Sequence, residues 1–138
     1  MADVDLRWLD GRLFQASDGA GHTLLTGSDE RGFKAGELLL AALAGCAGVD
    51  VVGILEKKRQ RVTGVEAHAT KTNNADPPWC IDKIEIEWVV RGHSLSEKAV
   101  HDAVHLAETK YCSVAASLKS EIVTTIRLVE EDAPGSQD

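Results

Sequence analysis

Val4, Leu6 and Trp8 alternate with Asp5 and Arg7, the period-two spacing of a strand with one buried face. Asp10-Gly11 then predicts a two-residue hairpin turn, and Arg12 to Ala16 a second strand. Asp18-Gly19 and Gly21 mark another turn, and His22 to Thr26 a third strand, so the chain opens on a small antiparallel meander. GSDERGFKAG, residues 27–36, is polar and glycine-rich and reads as a loop.

The pattern then changes. From Glu37 to Arg61 the chain reads ELLLAALAGCAGVDVVGILEKKRQR, and between Leu38 and Leu55 Asp50 is the one charged residue. A helix with this composition is apolar on nearly every face and is expected to be buried all round. The run is also long enough to raise the question of a membrane span, since about 20 apolar residues cross a bilayer. Asp50, three glycines and four alanines within it, and the lack of a second such run, favour a core helix and no membrane. Cys46 sits in its middle, flanked by Gly45 and Gly48, small residues that would let another backbone approach the sulfur. Free cysteine commonly serves as a small buried hydrophobe, so on this stretch alone a packing role and a reactive role both stand.

Period two returns with Val65, Ala67 and Ala69, and after the turn TNNADPP (72–78) it is clearest at Ile84, Ile86, Trp88 and Val90, giving a long hairpin. Ser94 and Glu97 have the spacing of a capping box, and the stripe Leu95, Ala99, Ala103, Leu106 and Ala107 predicts an amphipathic helix to about Lys110. Ser113 is expected to cap a short helix through Leu118, placing Cys112 beside a helix N-terminus whose partial positive charge favours a thiolate. Ile122, Thr124, Ile126 and Leu128 give a last strand. Residues 130–138 are expected to form a disordered acidic tail, leaving residues 1–129 as a single domain. Grouped strands with two helices between them point to an α+β fold with an antiparallel sheet.

Composition narrows the function. With 138 residues and a formal net charge of -7, the chain can bury a core but offers no nucleic-acid surface. Lys57, Lys58, Arg59 and Arg61 follow the apolar helix and complement its negative end. The start MADVDLRW lacks a secretory pattern, which predicts a cytoplasmic protein. Three cysteines, an odd number in a reducing compartment, suggest thiol chemistry or packing before a disulfide framework. His101, Asp102 and His105 spell H-D-A-V-H, close to a zinc-protease helix, but aspartate is short and no third ligand is evident. A solvated helix face is expected there, with no metal and no cofactor. Cys80 has no partner motif, His22 and His68 read as surface positions, and Asp50, one turn after Cys46, reads as a structural acceptor or as a polar partner of the thiol.

ELLLAALAGCAGVDVV, followed after a strand pair and a helix by KYCSVAASL, resembles the family of osmotically inducible protein C and the organic hydroperoxide resistance proteins, and its less characterised branch in particular. The resemblance runs from about Val4 to Leu128 and implies an intertwined homodimer, in which sheets from both subunits wrap long central helices. It further implies a peroxidatic cysteine at Cys46 and a resolving cysteine at Cys112, acting on an organic hydroperoxide and regenerated by a cellular dithiol. The family's peroxidases add an arginine from the first hairpin and a glutamate before the central helix. Those positions fall here on Leu9 and Gly36, which leaves Arg12, with Arg7, and Glu37 as the candidates; Ser113 stands where the peroxidases usually have proline. Without a matched cation the Cys46 pKa is expected near the free value of roughly 8.5. Two readings follow: a thiol peroxidase, or a binding or stress-response module that keeps the dimer pocket without turnover.

Overall fold

The computed structural model describes residues 2–131. The described residues form two compact units, divided after Leu39. In the first, β1 (Val4–Asp10), β2 (Leu13–Asp18) and β3 (Thr23–Gly27) form the expected antiparallel meander in the order β1-β2-β3. The turn between β1 and β2 sits one residue later than the sequence suggests. Gly11 takes a φ of +49°, and Arg12 lies in the turn and not in the strand. Gly27 closes the meander at φ +140°, where a side-chain carbon would lie 2.0 Å from the Arg12 carbonyl oxygen; no other residue fits.

The second surprise in this unit concerns burial. The alternation of Val4, Leu6 and Trp8 predicts a covered face, yet every residue of β1 is exposed in the single chain.

Helix α1 (Ala35–Lys57) starts two residues before the expected Glu37 and ends four before Arg61, which already belongs to the next strand. Glu37 explains the start: its carboxylate accepts the backbone N–H of Lys34 at 2.9 Å, the reverse half of a capping box. The end is a Schellman-type closure. Arg59 turns left-handed at φ +58°, its N–H donates to the Glu56 carbonyl at 2.9 Å, and the Gln60 N–H donates to the Leu55 carbonyl at 3.0 Å.

The second unit is built on β4 (Arg61–Asn73), β5 (Ile81–His93) and β6 (Glu121–Glu130), in the order β4-β5-β6. β4 and β5 pair antiparallel, as expected of a long hairpin. β5 and β6 pair parallel, which corrects the expectation of a purely antiparallel sheet. The connection between them runs through α2 (Glu97–Leu106), and a helical crossover is what a parallel neighbour requires. Ile84, Ile86, Trp88 and Val90 point to one face and pack with Leu43, Ala47, Val51 and Leu55 of α1 and with Val100, Ala103, Val104 and Ala107 of the crossover. The α1 residues recur every four positions, so a single stripe of that helix is covered while Val49 and Val52 stay exposed. Among the described residues α1 is the one helix long and apolar enough to cross a membrane, and in the single chain it is not buried all round.

Ser96, and not Ser94, caps α2: its hydroxyl accepts the Ala99 N–H at 3.2 Å, while Ser94 itself is left-handed at φ +52°. The covered stripe of the helix is correspondingly centred on Val100, Ala103 and Val104, with Leu95 and Ala99 at its margin. Glu130 closes β6, and the Glu131 N–H donates to the Gly92 carbonyl at 2.8 Å, so the expected tail does not begin at residue 130. Residues 132–138 lie outside the described residues.

Candidate active site

Cys46 immediately precedes Ala47, which is fully buried, so its side chain emerges at the margin of the core and is half-buried. The approach of another backbone, expected from the flanking glycines, comes from Ser113 and Val114, whose backbone N–H groups reach the Cys46 sulfur, while the space beside the glycines themselves is not filled by backbone. A side-chain carbon at Gly45 would meet nothing, and one at Gly48 would touch the Trp88 ring at 3.8 Å.

The second sulfur arrives by a different route. After Leu106 the helix widens into a π turn, Ala107–Tyr111, a feature that recurs at functional sites. Glu108 on this turn accepts the Trp88 indole N–H at 3.0 Å and the Thr124 hydroxyl at 2.7 Å, tying the turn to β5 and β6. Those bonds fix where the chain leaves the helix, at the buried Cys112. Cys112, and not Ser113, caps the short α3 (Ser113–Ser117): its Sγ accepts the Ala115 N–H at 3.3 Å. Ser113 is the first residue of α3, and its Oγ lies 3.9 Å from the Cys46 Sγ.

The two thiols are free, and their surroundings drive them apart. The backbone N–H of Val114 and the Cys112 thiol, helped by the hydroxyl and N–H of Ser113, hold Cys46 below the ordinary thiol range against the opposing effect of burial. Burial pushes Cys112 up; the Ala115 N–H opposes this, and neighbouring Cys46 reinforces it. This reverses the sequence expectation, which favoured a thiolate at Cys112 and left Cys46 near its free value. A desolvated sulfur gains less from one capping N–H than it loses to burial, whereas Cys46 at the core margin collects several neutral donors. The arrangement is an asymmetric thiol pair, with the thiol that ionises more readily at Cys46 and the one held protonated by burial at Cys112.

Arg12 and Glu37 belong to the first unit. The Arg12 guanidinium donates to the Gly11 carbonyl at 3.1 Å and that of Arg7 to the Gln15 side chain at 2.8 Å; Glu37 caps α1 as described. Cys80 is exposed at the entry to β5, and Asp50 is half-buried on α1. On α2, Lys98 holds Asp102 at 2.7 Å and lowers its pKa, and no three potential metal ligands gather among the described residues. His101, His105 and Glu108 line a cleft of about 940 Å3 beside β6. Sequence reasoning missed the parts played by Ser113, Trp88 and Glu108. The strand alternation marked Trp88 as core but carried no signal for its indole partner, because the π turn that brings Glu108 there has no sequence signature.

Residues 27–127 match the family model described as OsmC-like protein. The chain is 34% identical over 122 residues to Protein YhfA of Escherichia coli K12, a match covering 87% of this chain and 91% of that protein. Among solved structures, a hypothetical protein from Aquifex aeolicus superposes with a TM-score of 0.88 at 30% identity, covering 96% of this chain and 98% of the other. The organic hydroperoxide resistance protein OhrB of Bacillus subtilis superposes with a TM-score of 0.63 at 16% identity, covering 93% and 97%, a likeness of fold.

Proposed function

The chain belongs to the OsmC-like protein family, and from that footing we propose that it is a thiol-dependent peroxidase acting on organic hydroperoxides. The observation that carries the reading is the thiol pair itself: a Cys46 held below the ordinary range by donors that include the Cys112 thiol. The Cys46 thiolate attacks the distal peroxide oxygen, the O–O bond breaks, and the leaving alkoxide takes a proton to become an alcohol while Cys46 becomes a sulfenic acid. The Cys112 sulfur then displaces water from that sulfenic acid and forms the Cys46–Cys112 disulfide, which a cellular dithiol returns to two thiols. Arg12, with Arg7, and Glu37 are the candidates for the family's activating pair, whose own positions hold Leu9 and Gly36 in this chain.

The working form is a homodimer in the cytoplasm. Support for the dimer comes from the uncovered apolar residues of β1 and from Val49 and Val52 of α1. The family match spans the boundary at residue 39, which supports a single OsmC-like domain over residues 1–129. A binding module is the second reading, favoured by one observation: the groups that act on the Cys46 sulfur are all uncharged.

Non-reducing mass spectrometry decides between them. One equivalent of an organic hydroperoxide is expected to remove two hydrogen atoms from the wild type and join Cys46 to Cys112, while Cys112→Ser accumulates and over-oxidises a sulfenic acid at Cys46. Unchanged mass with all thiols free overturns the peroxidase reading.

A further inference from the structure

Ser113 occupies a particular place relative to the reacting sulfur. It follows Cys112 directly, so one dipeptide brings both the second thiol and a hydroxyl to Cys46. Its Oγ stands 3.9 Å from the Cys46 Sγ, at the long end for a thiol contact. When the sulfur ionises, the same pair becomes a charge-assisted hydrogen bond, which is shorter and roughly twice as strong. Ser113 is exposed, and its Oγ makes no other hydrogen bond among the described residues, so no other protein group competes for the proton it donates. Its backbone N–H opens α3 and has no helical carbonyl to serve.

We propose that Ser113 is a catalytic residue of the thiol site, donating its hydroxyl, and in support its backbone N–H, to the Cys46 thiolate. The inference rests on the thiolate role of Cys46 in the peroxidase reading and adds to it a neutral source of activation: the sulfur's charge is met by dipoles carried on the Cys112–Ser113 dipeptide. The side chain and backbone of Ser113 both act to lower the Cys46 thiol, after the larger effects of the Val114 N–H and Cys112. The Ser113 hydroxyl donates a hydrogen bond and keeps its proton, so the step needs no added oxidant or reductant.

The test is the pH profile of Cys46 alkylation by iodoacetamide, followed at its own peptide so that exposed Cys80 does not confuse the reading. Ser113→Ala removes the hydroxyl and keeps the N–H. Ser113→Pro removes both at a helix position that tolerates proline, after a Cys112 already in extended backbone and out of the α region that proline disfavours before it. Ser113→Thr restores the hydroxyl. The midpoint of the profile is expected to move to higher pH in Ser113→Ala and further in Ser113→Pro, with the rate at pH 7 falling roughly fivefold in the first, and to return in Ser113→Thr. The plateau at high pH should not fall, because a more basic thiolate is intrinsically the better nucleophile. Superposable profiles for wild type and Ser113→Ala overturn the proposal, as does a loss confined to the plateau, which would mark a structural role. The titration needs no turnover, so a wild type that fails to form the disulfide defeats the peroxidase reading and leaves this measurement to stand or fall separately.

Discussion

β1 and β5 carry the same signal and meet opposite fates. Val4, Leu6 and Trp8 alternate as regularly as Ile84, Ile86 and Trp88, yet Trp8 is 62% exposed and Trp88 is 1% exposed in the single chain. β5 is a central strand, flanked by β4 and β6 and covered by α1 and the helical crossover. β1 is an edge strand of its own meander, and even its tryptophan is satisfied locally, the Trp8 indole N–H donating to the Gly11 carbonyl at 3.0 Å. With its polar atom spoken for, the ring presents apolar surface alone. Alternation therefore tells that a strand has an apolar face, and says nothing of which chain covers it. A row of exposed large hydrophobics is the mark of an interaction surface, and under the proposed homodimer the second copy supplies the cover.

The comparison breaks most violently at Trp88. Trp88→Ala opens a cavity between α1 and the sheet and leaves the Glu108 carboxylate without its indole donor. A loss of about 3–5 kcal/mol is expected, a large part of the roughly 5–15 kcal/mol that holds a domain together. Urea unfolding measures it. A loss near 1 kcal/mol would mean that the β5 face is not the core.

Trp8→Ala is the counterpart. Removing an exposed ring should leave strand and helix content unchanged, as circular dichroism reads it, while weakening the dimer by roughly tenfold or more, since a central tryptophan is a typical hot spot. Sedimentation across a concentration series checks this. A dimer as tight as the wild type would show that β1 is covered by something else, and a wild type that sediments only as a folded 14.8 kDa monomer would remove the dimer altogether.

What was legible in the sequence follows the same division. The strands were readable by period in β1 and β5 alike, but burial followed the period only where the chain supplies its own cover, as at β5; α1 was readable as a helix by its apolar run, while its covering to a single stripe was not. The helix that carries Cys46 was readable from its apolar run. The parallel pairing of β6 was not, since a strand's pattern does not encode the direction of its neighbour. Nor was the cap at Ser96: Ser94 and Ser96 are both good capping residues, and the left-handed turn at Ser94 settles the choice. The electrostatics of Cys46 were not legible, because its pKa depends on backbone N–H groups that only the fold brings to it.

The smallest effect is also the one that sharpens the comparison most, because α1 contains both cases within a single helix. Its Leu43, Ala47, Val51 and Leu55 stripe is covered by the core, while Ala44, Gly45, Gly48, Val49 and Val52 border an apolar groove of about 650 Å3 with Val65, Ala67 and Trp88. Alanine fits at both glycines: the space beside Gly45 is open, and at Gly48 the added carbon makes ordinary contact with Trp88. Judged by the single chain, Gly45→Ala and Gly48→Ala should each stabilise the helix by about 1 kcal/mol, through helix propensity and a less flexible unfolded chain. Judged by the dimer, the added methyl groups press on a second copy at the face where small residues allow close approach. The expected result of the double variant is therefore a weaker dimer with an unchanged or higher helix content, read by sedimentation and circular dichroism together. Stabilisation with no change in association would place the partner elsewhere and leave this groove of α1 open to solvent, and the sign of a change near 1 kcal/mol is enough to tell the two apart.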